Sequence, residues 1–180
     1  MSNHPLPETL ARIGGLSTSP SLPEDSVLLM IDGQREYNGL PFTGVAAAVE
    51  ERARLLAFAR ARNLPVFHAI HHGRAGGKLF DQTRDGAKFI EALAPLPGEV
   101  VLINSLPNAF AGTALAALDH GFRSTVVANA TSTRDLPHPF GAGITAAHIV
   151  QAGTLAALSD RFSFVIQDTA AMESAPAPAA

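Results

Sequence analysis

The chain reads as an α/β protein, a three-layer α/β/α sandwich around a mainly parallel sheet of about five strands. Three observations point there. Apolar runs alternate with longer amphipathic stretches from residue 25 to residue 170, the rhythm of strand–helix–strand units. Val27-Leu28-Leu29-Met30-Ile31 is an unbroken apolar run, the pattern of a parallel strand covered on both faces rather than of an alternating surface strand. That run stops at Asp32, which puts a carboxylate at the C-terminal tip of a buried strand, where open α/β sheets hold their ligands.

Each element follows in turn. Residues 1–24 are rich in Pro, Ser and Gly, with one short amphipathic piece at Leu10, Ile13 and Leu16. They are expected to form an arm that packs on the domain or on a neighbouring subunit. After the first strand, Val45 to Asn63 carries Val49, Ala53, Leu56 and Phe58 among Arg and Glu residues, an amphipathic helix. Pro65 to Ile70 is the second strand, left through the Gly-rich loop His71 to Gly77. Phe89 to Leu93 forms a short helix stopped by Pro95 and Pro97, because proline lacks the amide a helix needs. Val100 to Ile103 is the third strand, and Thr113 to His120 a helix closed by Gly121. Thr125 to Ala128 is the fourth strand, Thr131 to Gly143 a loop, Thr145 to Arg161 the last long helix and Phe164 to Ile166 the last strand. Right-handed crossovers between parallel strands then set helices on both faces. Residues 171–180, largely Ala and Pro, read as a disordered tail that cannot bury a core.

Composition narrows the function classes. At 180 residues with 47% apolar content, one domain, residues 25–170, accommodates the core. A net charge of −3 supplies no electrostatic reason to expect nucleic acid or an anionic membrane as partner. No apolar stretch reaches bilayer-spanning length, and Met1 to Pro5 lacks the basic and apolar regions of a secretory signal; a cytoplasmic location is the expectation. The chain contains no cysteine, which excludes disulfides, thiolate nucleophiles and Cys-based metal sites.

The block Asp32-Gly33-Gln34-Arg35-Glu36-Tyr37 resembles the first strand end of the isochorismatase-like cysteine hydrolases, where an apolar run is followed by Asp, any residue, Gln and then an aromatic. Further blocks occur in that family's order. Glu99 to Thr113, centred on Leu-Pro-Asn-Ala-Phe-Ala-Gly-Thr, is similar to its third strand and following loop. Gly121-Phe122-Arg123 with Thr125-Val126-Val127 is similar to its penultimate strand. Arg134-Asp135-Leu136-Pro137, His148 and Leu155 to Phe162 are similar to the C-terminal loop and helix of one branch. The resemblance implies hydrolysis of a C–N bond in a small amide or related compound, with Asp as general base, Lys as its electrostatic partner and Cys as nucleophile. It also implies a homo-oligomer, no cofactor and a small-molecule substrate.

Two departures bear on that chemistry. Asn104 stands where the resembled family has its Lys. Beyond Thr113, roughly thirty residues are missing relative to the family, about one helix-plus-strand unit, and this is the unit that bears the nucleophilic Cys. Removal of a whole unit is topologically tolerable, since it leaves the following strand free to slide into the vacated position of the sheet. Of the family's three catalytic groups the chain keeps Asp32, which together with Asn104 forms the expected catalytic set. Gln34, Tyr37, Phe110 and Lys78 are the expected substrate-binding residues, Lys78 because it lies in the Gly-rich loop. Three readings stay open: a hydrolase without a thiol mechanism, a non-catalytic ligand-binding or oligomer-forming protein on the same scaffold, and an internally deleted form of an enzyme.

Other candidates weigh less. His68 and His72 share a strand face, but the paired Asp and His spacing of the family's metal-binding branch is absent, and no metal is expected. Ser105, Thr131 and Ser132 offer hydroxyls without a nucleophile-elbow motif. Gly73, Gly76 and Gly77 lack the Lys-Ser/Thr ending of a phosphate loop, Lys88 reads as a solvated charge, and His148 reads as structural.

Overall fold

In the computed structural model, which describes residues 7–16, 26–104, 117–118 and 121–173, the apolar runs become strands and the amphipathic stretches become helices. In chain order these are α1 (Leu10–Ile13), β1 (Leu28–Ile31), α2 (Glu36–Gly39), β2 (Phe42–Thr43), α3 (Val45–Ala61), β3 (Val66–His71) and β4 (Val100–Asn104). After them come β5 (Ser124–Val127), β6 (Thr133–Arg134), β7 (Leu136–Pro137), β8 (Ile144–Thr145), α4 (Ala147–Arg161), β9 (Ser163–Ile166) and α5 (Thr169–Glu173). The expected short helix near residue 90 is a single 3₁₀ turn, Glu91–Leu93. The helix expected over 113–120 lies outside the described residues except for Ala117 and Leu118, which are helical. Gly121 closes it at φ +83°, with the Phe122 amide donating to the Ala117 carbonyl at 2.8 Å; glycine takes this left-handed cap without the Cβ penalty.

β1, β3 and β4 form one parallel ladder in the spatial order β1-β3-β4. Met30 lies opposite His68, Ile31 opposite Ala69, and His71 opposite Asn104. β5 and β9 form a second parallel ladder, with Val127 opposite Ile166. Among the described residues no ladder joins β1 to β5. The five long strands are those the sequence announces, and β5 pairs with β9. Among the described residues the two ladders stay separate.

Helix α3 spans the two ladders. Its Leu56 and Ala59 pack with Met30, Val66 and Leu93 in the core under the first ladder, while its Leu55 packs against Val127, Ala130 and Ile166 under the second. Between these rows, buried Glu51 accepts hydrogen bonds from the Thr169 amide and hydroxyl, both at 2.6 Å, and from Arg54 at 2.6 Å. Burial alone would raise the Glu51 pKa, but these bonds outweigh it and hold the carboxyl below its ordinary value. Helix α4 covers the other face. Successive strand residues point to opposite sides, so Met30 meets α3 while Ile31 faces a cavity walled by Val150, Leu155 and Leu158 of α4.

The termini of the domain require one correction. Ala171 to Glu173 are not part of a disordered tail: they belong to α5, and Ala171 and Met172 pack on the second core. Glu51 caps that helix at Thr169, and the Asp168 carboxylate accepts the Ala171 amide at 3.0 Å, so its first turn has partners that sequence composition does not reveal. In the N-terminal arm, α1 is one turn tied to α4 by the Leu10 amide on Asp160 at 2.9 Å, with Ile13 left 66% exposed.

At the N-terminal ends of β3 and β4, Glu99 accepts bonds from Arg60 at 2.7 and 2.9 Å and from the Leu96 amide at 2.9 Å, and it faces the His68 ring nitrogen at 2.9 Å. Chiefly the Arg60 guanidinium pulls its pKa down, against burial, to about 2. Because the folded value lies below the ordinary 4.5, this carboxylate's contribution to stability is complete above pH 4.5 and is lost as pH falls toward 2. Glu99→Gln is therefore expected to flatten the acid limb of the stability–pH curve over that interval, as read by chemical denaturation at stepped pH. Glu51→Ala is expected to remove ~2–3 kcal/mol of unfolding free energy, the worth of hydrogen bonds to a buried charge. A urea titration showing less than about 0.5 kcal/mol would mean that the tie to Thr169 is dispensable.

Candidate functional site

Asp32 leaves β1 in a left-handed conformation, φ +56°, while its amide still bonds the Ala69 carbonyl at 2.7 Å. Non-glycine residues enter this region at a cost, with Asp and Asn the most tolerant. The turn aims the carboxylate into a cavity of about 290 Å³ at the C-terminal end of the first ladder, lined also by Tyr37, Phe42, Arg52, Thr131, Ser132 and Gln151. The β2–β6 pair, Thr43 opposite Thr133, closes one side. A second hollow of about 530 Å³ lies at the other end of the strands, beside Arg60 and Glu99. Ligands of open parallel sheets bind beyond the carboxyl ends of the strands, so the smaller cavity is the chemical candidate.

Within it the Tyr37 hydroxyl donates to Asp32 Oδ2 at 3.0 Å, whereas Asp32 Oδ1 is buried without a hydrogen-bond partner among the described residues. Desolvation raises the Asp32 pKa above its ordinary 3.8; the Tyr37 bond and the charges of His71 and Arg52 offset part of that rise. The same burial, with the neighbouring Asp32 charge, pushes the Tyr37 hydroxyl well above the ordinary phenol range and keeps it a donor. Tyr37 is itself held by an edge contact with the Phe42 ring and a tilted contact with the Phe80 ring, each at 5.2 Å between centroids.

Arg52 is the residue that sequence reading missed. It projects from α3 between the rows that carry Leu55 and Leu56, and its Nε donates to the Ala130 carbonyl at 2.7 Å. The signal was positional: Arg52 lies three and four residues before the two leucines that enter the cores, a buried-face place for a cation.

The remaining expected residues divide. Gln34 is fully buried but does not line the cavity. Its amide donates to the His71 and Ala87 carbonyls, and its carbonyl accepts the His71 amide, all at 2.8 Å. This side chain is a strut that ties the end of β1 to β3, with no bonding capacity left over for a substrate beyond one lone pair. Lys78 is exposed in its loop and is not a lining residue. Asn104 ends β4, two strands away from β1; its side chain, Ser105 and Phe110 lie outside the described residues. His68 is committed to Glu99, and His148 is exposed rather than structural. Thr131 and Gln151 bond each other at 2.9 Å, while Ser132 lines the cavity beside them. Among the described residues no three His, Asp or Glu side chains gather as a metal site.

A raised carboxylate pKa means that ionising Asp32 costs the fold: its stabilising contribution is complete below pH 3.8 and is lost as pH rises through the higher folded value. Asparagine accepts the same left-handed turn. Asp32→Asn is therefore expected to melt at a higher temperature than wild type at pH 7, with the difference closing at pH 3. A lower melting temperature at pH 7 would show that the ionised carboxylate is paid back by contacts beyond Tyr37.

With the geometry in place, similarity to known proteins can be set beside it. The isochorismatase domain matches residues 26–116. The maleamate amidohydrolase of Pseudomonas putida is 37% identical over 126 residues, 59% of this chain and 59% of that protein. A secreted isochorismatase effector of Verticillium dahliae is 36% identical over 103 residues, 56% of this chain and 54% of that one. The chain thus spans little more than half the length of these curated relatives. The crystal structure of an isochorismatase from Pseudomonas putida superposes with a TM-score of 0.83 at 30% identity, covering 92% of this chain and 99% of that one. With half of its sequence matched by the domain and its backbone shared with a solved member, the chain belongs to the isochorismatase family.

Proposed function

We propose that this chain is a small-amide hydrolase of the family that works without a covalent enzyme intermediate, using water activated by Asp32. The observation that carries this reading is the buried, unpartnered Oδ1 of Asp32 on the wall of a cavity at the strand ends. A carboxylate with a raised pKa, close to a substrate carbonyl, is a suitable general base and then acid. Asp32 takes a proton from water, the hydroxide oxygen bonds the amide carbon, and the tetrahedral adduct collapses as Asp32 returns that proton to the departing nitrogen. Tyr37 holds the other carboxylate oxygen and sets its direction. The chain has no cysteine, so an acyl-thioester cannot form on it. The maleamate amidohydrolase relative supports a C–N bond as the target.

A second reading is binding without turnover. The absence of any lysine among the cavity-lining residues favours it, since electrostatic stabilisation of developing negative charge is a large part of such catalysis.

A panel of small amides and imides, assayed with wild type and Asp32→Asn, separates the readings. Ammonia release by wild type and its loss in Asp32→Asn are expected. Release that survives the substitution would eliminate Asp32 as base. Saturable thermal stabilisation with no product would establish the binding reading.

A further inference from the structure

We propose that Phe80 is a positioning residue of the candidate site: its ring, presented by a left-handed backbone, holds Tyr37 in the orientation that keeps its hydroxyl on Asp32. The inference rests on the reading of Asp32 as the general base, and it adds a residue outside the cavity wall on which that base depends.

Among the described residues, Asp32, Asn63 and Phe80 are the non-glycine positions with a positive φ. Aspartate and asparagine tolerate the left-handed region, whereas a bulky ring enters it at a cost and stays only where its surroundings over-determine it. Phe80, at φ +54°, is held from several sides. Its amide donates to Glu36 Oε2 at 3.2 Å, and its carbonyl accepts the Gly73 amide at 2.8 Å. Gly73 lies so near the returning chain that a Cβ there would stand 2.5 Å from the Leu79 carbonyl oxygen, an approach that only glycine permits. The next residue, buried Asp81, accepts the Gly76 amide, the Thr83 amide and the Thr83 hydroxyl at 3.0, 3.0 and 2.9 Å. Glycine or asparagine at position 80 would meet the same backbone demands with less strain. What phenylalanine adds is the ring.

That ring touches two others. The His71 ring, at the end of β3, meets it edge-on at 5.2 Å and 84°, and the Tyr37 ring meets it at 5.2 Å and 56°. Glu36 and Tyr37 are successive residues of α2, so the loop grips that helix twice at one place, through the Phe80 amide and the Phe80 ring. A helix of one turn has little stability of its own. Tyr37 therefore takes its direction from the rings around it, Phe42 and Phe80, whose offset and edge contacts are directional as well as apolar. Phe42 is part of the cavity wall, and Phe80 is not. The hydroxyl so directed bonds Asp32 Oδ2 at 3.0 Å. Burial raises the Asp32 pKa, and the Tyr37 bond is the largest influence against that rise, ahead of the charges of His71 and Arg52. With the Phe80 ring removed, Tyr37 is free to turn and Asp32 loses its hydroxyl donor.

Tyr37 is the single tyrosine of a chain without tryptophan, so phenol emission and phenolate absorbance report it alone, with no substrate added. Phe80→Asn keeps a residue suited to the left-handed turn and removes the ring. Asp32→Asn supplies the reference in which the phenol faces no carboxylate. Emission of Phe80→Asn is expected to rise from the wild-type level, quenched by the bonded carboxylate, toward that of Asp32→Asn. Alkaline titration is expected to show the Tyr37 ionisation constant increased at least about tenfold over wild type, since burial and then the Asp32 charge hold its proton in place. Followed by carboxyl carbon NMR, Asp32 is expected to titrate at higher pH in Phe80→Asn, as in Tyr37→Phe. The double variant is expected to match Tyr37→Phe, the non-additivity of residues that act in series. A further shift of Asp32 in the double variant would overturn the assignment. So would a Phe80→Asn protein that melts earlier while its Tyr37 emission and titration coincide with wild type. Should Phe80→Asn fail to fold by circular dichroism, Phe80→Leu, which keeps the bulk and loses the ring, is read by the same signals. None of these signals requires turnover, so failure of the hydrolase reading and failure of this assignment are separate results.

Discussion

The packing of α3 across two separate ladders is the constraint on which the remainder of the molecule depends. A parallel sheet ordinarily joins its strands through continuous backbone hydrogen bonding, and among the described residues no such pairing joins β1 to β5. Side chains of one helix take over the connection. Leu56 and Ala59 enter one core and half-buried Leu55 packs on the other, the fully buried Leu56 contributing roughly 2–3 kcal/mol by removal from water. Glu51 adds a directional tie to α5 that hydrophobic packing alone would not supply. A helix that serves two cores cannot rotate or slide without losing both. This restricts the position of every residue it carries, Arg52 among them.

The candidate site takes its wall from the end of β1 and the turn after it, from α3, from residues 131–133 and from α4. Asp32 and Arg52 both line it. Their charges influence each other without neutralising each other by contact, and desolvation pushes both toward their neutral forms. An arrangement of this kind, with one carboxylate oxygen buried and unbonded among the described residues, costs folding free energy. It differs from the Glu99 and Glu51 clusters, in which every carboxylate oxygen already has protein donors and nothing is left for a ligand.

Much of the fold was legible from residue patterns. Continuous apolar runs located the five long strands, and helical spacing located α3 and α4, because burial on two faces or on one leaves different periodicities. Asp32 and Tyr37 were legible as a pair because both belong to one short segment that follows one strand. Gln34 belongs to the same segment, yet its role came out differently. Whether an amide faces a cavity or a neighbouring backbone depends on β3 and the 3₁₀ turn near Ala87, which local sequence does not specify. Lys78 failed for a related reason: a flexible side chain in a Gly-rich loop reaches a site only if the loop folds over it. Arg52 was hidden among several helix charges, and its distinction arises from which helix face the leucines select.

The amino-acid sequence by itself determined the fold class, the order of strands and helices, the acid at the tip of the first strand, and the exclusion of any thiol chemistry. These depend on composition and on contacts between residues close in the chain, where periodicity is a direct record of burial. Only the tertiary structure decided that the two ladders stay separate among the described residues, that Gln34 is a strut, and that Arg52 shares a cavity with Asp32. Those outcomes depend on side chains tens of residues apart competing for the same space and the same hydrogen bonds, and that competition is settled by packing in three dimensions.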